Sequence, residues 1–437
     1  MRSWNMKNNN FIYDPACETR SADEWRVIQT QILRKQLEFC RDHSPYYGKL
    51  LKGMDFSAFQ PEDLPSLPLT DKADLASDPD SFRAVPMAEI EDIAFSSGTT
   101  GRPCKITYSG SDMARLAYNE HRALATAGIT KEDIVLLTCT LDRCFIAGLA
   151  YYQGVRSIGA AGVRNGLNTI ESHAEIFKEL NPTVVIGVPS FLRHLGQGLR
   201  DRNIDMSCIK RLVCIGEPVR DRNMNITGLC EQVESVWGTR IHSTYASSEI
   251  ITSFCECEAH NGGHLIPELV VAEIIDDNGN VLPDGSCGEL VLTALQTTGM
   301  PLIRFRTGDI TFKITEPCSC GRQTPRIGPI LGRKAQMLKC KGTTLFPQVV
   351  FSALDTAEEV LDYYVVVTGE DLSDHLDVYV ALKVPGSDLQ PIREKLKAVC
   401  RMNVPVYEKT ADEVRTQVFS RSRKPIRFVD LRKKMKL

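Results

Sequence analysis

Apolar positions along the chain change period several times, and each change marks an element. From Ala22 to Lys52, Val27, Ile28, Ile32, Leu33 and Leu37 recur at helical spacing and predict an amphipathic helix ending near the HSPYYGKLL turn. A second helix is predicted to begin over Asp71–Leu75, after the proline-containing LPSLPLT linker. Between Ile129 and Pro189, short apolar runs alternate with helical ones. IVLLTCTL reads as a buried strand, GLAYYQGVRSIG as helix, AAGV as strand, ESHAEIFKEL as helix and TVVIGV as strand. LVCIGEP is a further short strand ending in a turn. Strand–helix–strand repetition implies right-handed crossovers and a mainly parallel sheet. Turns that follow such strands are where α/β sheets bind ligands.

From Leu269 to Ile314 the pattern turns hairpin-like, with VVAEIIDDNGNVL holding a turn signal between apolar runs and GELVLTAL following. After Gly332 it shifts again: VVFSALDT and IREKLKAVCRM read as helices, YYVVVTG and LDVYVALKV as strands. The expected fold is therefore α/β. A large N-terminal domain (1–332) would combine mixed or parallel sheets, helices and a hairpin-rich subdomain. A small α+β domain (333–437) would follow.

Length and composition narrow the classes. The 437 residues suggest two or three domains, and 43% hydrophobic with 24% charged residues suits a soluble protein with a large core. A net charge of −3, from 52 basic and 55 acidic residues, gives no reason to expect a nucleic-acid or membrane-surface partner. No run approaches the roughly 18 apolar residues that a membrane span needs. The opening MRSWNMKNNNF has no apolar core of a secretory signal. Fifteen scattered cysteines then read as reduced thiols, and a cytoplasmic protein is expected.

The first candidate chemistry is the run Ser96 to Lys105, SSGTTGRPCK, after the short apolar stretch IAF. Glycines let backbone approach a phosphate closely, while Ser and Thr hydroxyls and amides donate to its oxygens. Lys105 would add a point charge. The run is not the GxxxxGK[ST] loop, which disfavours a standard P-loop NTPase. A polar surface turn has the same composition.

Four further segments follow it in order: IGEP (Ile215 to Pro218), YASSE (Tyr245 to Glu249), FRTGD (Phe305 to Asp309) and GRKAQMLKCKGTTLFP (Gly332 to Pro347). With the SSGTTGRP loop (Ser96, Ser97, Gly98, Thr99, Thr100, Gly101 and onward), they resemble the adenylate-forming superfamily (acyl-CoA synthetase/luciferase-like). Within it they look like the phenylacetate–CoA ligase branch, and the similarity covers nearly the whole chain. The resemblance implies that Tyr245 packs on adenine, an aromatic ring being a stacking surface for a planar base. It implies that Glu249 holds Mg²⁺, a hard cation needing oxygen ligands, and that Asp309 accepts from both ribose hydroxyls. Glu217 and Pro218 would line the adenine side, with Ser248 part of the same nucleotide-binding set. Taken singly, Glu249 or Asp309 is equally a solvated loop carboxylate.

The resemblance also implies a mobile small domain that presents a lysine to the acyl phosphate, where its charge stabilises the transferring group. SRSRKPIRFVD resembles the branch's SEGKxxR segment at a spacing one residue shorter, which places that lysine at Lys424. A solvated basic tail, with Lys433, Lys434 and Lys436, is the other reading. Arg333 matches the GR before the hinge. The acidic residue usual in the family's hinge is absent, because Lys334, Ala335 and Gln336 follow, and Ala335 takes the hinge position.

Cys255, Cys257, His260 and His264 lie close together, and Cys318 and Cys320 form CSCG further on. Two short ligand pairs suit tetrahedral Zn²⁺. The expected structural set is Cys257, His260, Cys318 and Cys320, with Cys255 and His264 in reserve; free thiols in a reducing cytosol are the alternative. Some members of the branch carry such a site.

For function, the resemblance implies ATP-dependent activation of a carboxylic acid to an acyl-adenylate, followed by transfer to the thiol of CoA. Two other readings stay open. One is an adenylating enzyme that loads a carrier-protein thiol or transfers AMP to a cofactor. The other is an inactive nucleotide-binding homologue. Relatives line their acid pocket with the segment matching TLDRCFIAGLAYYQG, so Phe145, Tyr151 and Tyr152 either face an aromatic acid or pack as helix core. Arg143 beside Asp142 makes that stretch polar, which admits a polar group on the substrate. Dimers occur in the branch, so a homodimer is a further expectation.

Overall fold

The computed structural model describes residues 11–96, 104–142, 144–340, 343–370, 373–419 and 426–432. The predicted first helix is α1 (Ala22–His43), opened by a capping box between Ser21 and Glu24. It stops at Ser44, which caps the separate short helix α2 (Pro45–Leu50). Pro45 has no N–H to continue the ladder and is suited to the first position of a new helix, so the single predicted element is divided. Asp71 accepts from Ala73 N and Asp74 N at the start of α3 (Lys72–Ser77), which leads to the one-turn α4 (Pro79–Phe82).

The chain then forms the hairpin β1 (Ile90–Ser96) and β2 (Cys104–Ser109), in which Ser96 pairs with Cys104. The helix α5 (Gly110–Thr126) follows. The predicted alternation appears as β3 (Ile134–Leu137), α6 (Ile146–Ile158), β4 (Ala161–Arg164), α7 (Ile170–Leu180), β5 (Val184–Gly187), α8 (Pro189–Asp201) and β6 (Arg211–Ile215). After α9 (Gly228–Trp237) come β7 (Ile241–Ser247) and β8 (Thr252–Cys255). The sheet order is β4-β3-β5-β6-β7-β8, parallel except for the antiparallel edge β8. Burial on both faces accounts for the continuous apolar runs of β3, β5 and β6.

The hairpin-rich part contains β9 (Gly263–His264), β10 (Val270–Ile275), β11 (Gly288–Ala294), β12 (Phe305–Thr311), β13 (Lys313–Ile314) and β14 (Arg326–Ile327). Strands β10-β11-β12 are antiparallel neighbours, and β13-β14-β9 form a small separate sheet. One apolar core joins α1, β2, β11 and the β7–β8 turn through residues such as Leu33, Tyr108, Leu292, Ile250 and Phe305.

By its contacts the chain divides into two units, one of residues 1–225 and 232–330, the other of 226–231 and 331–437. The second unit contains β15 (Gly332–Arg333), β16 (Leu338–Cys340), β17 (Thr343–Leu345), α10 (Pro347–Asp355), β18 (Val360–Glu370), β19 (Ser373–Leu382), α11 (Gln390–Cys400), β20 (Val406–Glu408), α12 (Ala411–Phe419) and β21 (Phe428–Asp430). Its sheet runs β20-β19-β18-β21, over a core that includes Val365, Val378, Leu354 and Leu396. Among the described residues, no helix is long and apolar enough to cross a membrane.

Candidate active site

The neighbouring parallel strands β6 and β7, with the turns at their carboxyl ends, and the antiparallel strand β12 carry the candidate residues. After β6, Gly216 takes a left-handed φ of +73° and leads into the half-buried Glu217 and Pro218. The Glu217 carboxylate accepts from Ser190 N at 2.9 Å and from Ser190 Oγ at 2.8 Å, tying this turn to the first turn of α8 beside β5. That pairing is a helix N-terminus held by an anion, a favourable dipole arrangement.

Tyr245, on β7, lies opposite Phe254 of β8, with ring centroids 5.9 Å apart and nearly parallel planes. Its hydroxyl donates to Asp309 Oδ2 at 3.0 Å. Burial, then the Asp309 carboxylate, hold the Tyr245 phenol well above its ordinary pKa, so it remains a donor. Asp309 arrives from β12, where Gly308 has φ +77° and Asp309 N donates to Thr307 Oγ1 at 3.1 Å. Two candidate residues 64 positions apart therefore meet directly.

Glu249 is 6% exposed, in the turn between β7 and β8. Burial alone would raise its pKa, but the Lys72 ammonium, 2.9 Å from Oε1, outweighs this and holds it below the ordinary carboxylate range. Ser247 Oγ donates to Oε2 at 3.1 Å. Lys72 opens α3, and sequence reasoning did not single it out. The turn is fixed from behind by Arg115 of α5, which donates to the carbonyls of Ile250, Ile251, Leu269 and Leu295. Ser248 O accepts from the buried Tyr108 hydroxyl at 3.0 Å.

Of the phosphate-loop candidates, Ser96 ends β1 with a buried Oγ that has no partner among the described residues. Ser97, Gly98, Thr99, Thr100 and Gly101 lie outside the described residues, as does Lys424. Lys105 is on β2 and pairs with Asp80 Oδ1 at 2.9 Å. Arg333 lies in β15 and Ala335 in the following single 3₁₀ turn. Within this unit, Arg432 donates to Met337 O at 2.9 Å and Ala335 O at 3.3 Å, and pairs with Asp374 at 3.0 Å. Sequence reasoning did not identify Arg432.

A cavity of about 330 Å³, a figure that includes open solvent, adjoins the β7–β8 turn. Ser247 and Ser248 line it together with Tyr151 and Ala150 of α6 and Tyr108 of β2. Tyr151 thus reaches the cavity, whereas its neighbour Tyr152 points elsewhere, with the Arg164 guanidinium 4.9 Å from its ring centroid. Phe145 precedes α6 and is not among the lining residues.

The thiol cluster differs from expectation in one ligand. Cys257, Cys318, Cys320 and His264 bring their donor atoms within 4.8 Å of one another, and His260 is not among them. Cys257 Sγ is 3.6 Å from Cys318 Sγ, and Cys320 Sγ is 3.5 Å from His264 Nε2. His264 is on β9, which pairs with β14 and so lies beside the 318–320 loop. His260 closes a turn on Cys257 O with a left-handed φ of +49°, and its ring lies 4.7 Å from that of His242. Cys255 points into the core and accepts from Thr244 Oγ1 at 3.1 Å. Burial pushes His264 down to about 3, leaving a neutral imidazole whose Nδ1 is held by Thr324 Oγ1 at 3.0 Å. That is the arrangement in which the other nitrogen is oriented for a metal.

Residues 53–299 match the family model of AMP-binding enzymes. The chain is 32% identical over 385 residues to a phenylacetate–coenzyme A ligase of Thermus thermophilus, covering 86% of this chain and 85% of that one. It is 29% identical over 398 residues to a phenylacetate–coenzyme A ligase of Pseudomonas putida, covering 88% of each. A crystal structure of 2-hydroxyisobutyryl-CoA ligase in complex with R3-HIB-AMP superposes with a TM-score of 0.83 at 20% identity, over 99% of this chain and 95% of that one. This last likeness is one of fold. The chain belongs to the AMP-binding enzyme family, in its phenylacetate–coenzyme A ligase branch.

Proposed function

We propose that this protein is an AMP-forming acid–CoA ligase acting on a phenylacetate-like acid. The acid carboxylate attacks the α-phosphorus of ATP, forming an acyl–phosphate bond and releasing pyrophosphate. The CoA thiolate then attacks the acyl carbon, forming the thioester and releasing AMP. Such transfers need positioning and charge neutralisation more than covalent help from the protein.

The observation that carries this reading is the junction of Tyr245, Asp309 and Glu249 beside the cavity. Tyr245 offers a ring face to adenine, and Asp309 accepts from the ribose while restrained by the tyrosine hydroxyl. The segment from Ser96 to Gly101, beginning at a Ser96 hydroxyl that has no partner among the described residues, would hold phosphate oxygens. Glu249 and Ser247 present hard oxygen donors of the kind Mg²⁺ takes, and Lys72 marks the place as one that accepts positive charge. Bound there, the ion would neutralise phosphate charge. Lys424 is proposed to approach the acyl phosphate, with the 333–335 segment as the hinge.

Cys257, His264, Cys318 and Cys320 are proposed to hold a structural Zn²⁺, since four closed ligands leave no open position for catalysis. A reducing, cytoplasmic location belongs to the same reading, and none of the fifteen cysteines is paired in a disulfide.

Pyrophosphate release measured over a panel of aryl, aliphatic and amino acids tests the first step, and CoA consumption the second. Release with aryl acids, coupled to loss of free CoA, is expected. Silence across the whole panel would overturn the assignment, and release without CoA loss would redirect it to another acceptor.

A further inference from the structure

The cavity is lined by an ionisable group that acid activation does not use. Glu120, on α5, lines it and is 2% exposed. Its Oε1 accepts from Asn119 Nδ2 at 3.2 Å and the Ser253 hydroxyl lies beside the carboxyl, while the buried Oε2 has no hydrogen bond of normal geometry among the described residues. A buried carboxyl oxygen left without a donor is destabilising. Its surroundings are otherwise arranged with care. Asn119 also donates to Ser253 Oγ at 2.9 Å and accepts from Thr252 Oγ1 at 2.9 Å, locking this turn of α5 onto β8. On the other side, Gly154 of α6 lies so close that a Cβ there would sit 2.4 Å from Glu120 Cβ. The side chain is thus fixed between α5, α6 and β8, in the wall of the cavity.

Ser247 and Ser248 line the cavity next to Glu249, where the proposed adenylation takes place. Glu120 lines it from α5, beside Ser253, which pairs with Ala246 on β7. The remaining walls near it are apolar or aromatic, from Leu116, Ile146, Ala150 and Tyr151. An acid whose carboxylate lies at the Ser247–Glu249 turn therefore has Leu116, Tyr151 and the Glu120 carboxyl among the groups left to meet the rest of it.

We propose that Glu120 selects the acid by its distal group, so that the preferred substrate is an aryl acid with a hydroxyl or amino hydrogen-bond donor remote from its carboxylate. This deepens, and rests on, the acid-activating reading above. Burial raises the Glu120 carboxyl to about 7, so it exists near neutrality in both protonation states. In each, Oε2 or its proton has an unmet hydrogen bond that a plain phenyl ring leaves unmet. Sites that hydrogen-bond a substrate group reject the analogue lacking it far more strongly than apolar pockets reject a missing methylene.

The test is a comparison of kcat/KM for phenylacetate, 4-hydroxyphenylacetate, 3-hydroxyphenylacetate and 4-aminophenylacetate, read by pyrophosphate release in the full-length protein. The expected result is at least about a tenfold preference for one hydroxylated or aminated acid over phenylacetate. Glu120→Met should reverse that preference, and Glu120→Gln should retain part of it for the hydroxylated acid. The ratio within one variant cancels any loss of folded protein, and thermal melts report folding separately. Equal or better use of phenylacetate by the unmodified protein overturns the inference while leaving acid activation intact. So does a Glu120→Met variant that melts normally with its preference unchanged. Silence with every acid in the unmodified protein removes the adenylation reading itself, and the inference with it.

Discussion

Arg115 offers the most direct test of how the fold holds the site. It is 0% exposed, in the second turn of α5. Its guanidinium donates to Leu295 O at 2.7 Å, to Leu269 O at 2.6 Å and to Ile251 O, with Ile250 O more distant at 3.4 Å. Hydrogen bonds to charged groups contribute roughly 1.5–3 kcal/mol each, so three close ones suggest about 5–9 kcal/mol. Against this stands the cost of burying the cation. Burial pushes Arg115 down to about 10, and that drop from arginine's ordinary range corresponds to roughly 3 kcal/mol.

Replacing Arg115 by Met keeps length and removes both terms, while leaving the Leu295 and Ile251 carbonyls bare in the core. Leu269 O still accepts from Leu295 N at 2.9 Å, which limits the damage. The expected loss is about 3–5 kcal/mol, in the range found when one partner of a buried charged contact is removed. Urea unfolding followed by circular dichroism measures it as a lower midpoint at similar slope. Because residues 250 and 251 directly follow Glu249, the surviving folded protein should also show a raised KM for ATP. A loss below about 1 kcal/mol with unchanged KM would refute the view that Arg115 fixes this turn.

Three further outcomes follow from the same geometry. Lys72→Met removes the cation that keeps Glu249 ionised, so burial dominates and the carboxyl pKa rises. The acid limb of the pyrophosphate-release profile should move to higher pH, and an unmoved limb would exclude this pairing from function. Stability carries the same sign: a depressed carboxylate pKa stabilises the fold above its ordinary value, and that contribution fades as pH falls through the lowered one. Tyr245→Phe keeps the ring but frees Asp309 from its 3.0 Å hydrogen bond; a rise of about fivefold in KM for ATP is expected, about 1 kcal/mol. His264→Ala should eliminate zinc measured by elemental analysis and lower Tm, whereas His260→Ala should retain the metal. The reverse pattern would restore His260 as the ligand.

The elements that were legible are those with one apolar side or none polar. Val184–Gly187 and Leu212–Ile215 announced themselves as buried strands because both faces are covered. Helix α5 gave no signal. Asp112, Arg115, Asn119, Glu120 and Arg122 are all buried there, each engaged with backbone or side-chain partners, so polar residues occupy positions where periodicity looks for apolar ones. The loop motifs were readable as a set because ligand chemistry dictates residue types in order. Their supports were not: Lys72 and Arg432 are ordinary basic residues until the fold places them 2.9 Å from Glu249 and against the 335–337 backbone. His260 and His264 have equal claims by spacing, and only a left-handed turn at one and a strand pairing at the other separates them.

The grip of Arg432 on the backbone at 335–337 sets which substitutions that segment tolerates. A guanidinium that holds carbonyl oxygens is blind to the side chains those residues carry. Ala335 therefore loses nothing in this contact by lacking a carboxylate, and Ala335→Ser or Ala335→Gln should leave it intact. The constraint is transferred instead to position 432, whose fork also binds Asp374 and Asp430. Lysine there, with one point charge instead of five fixed donors, could not hold all of these partners at once.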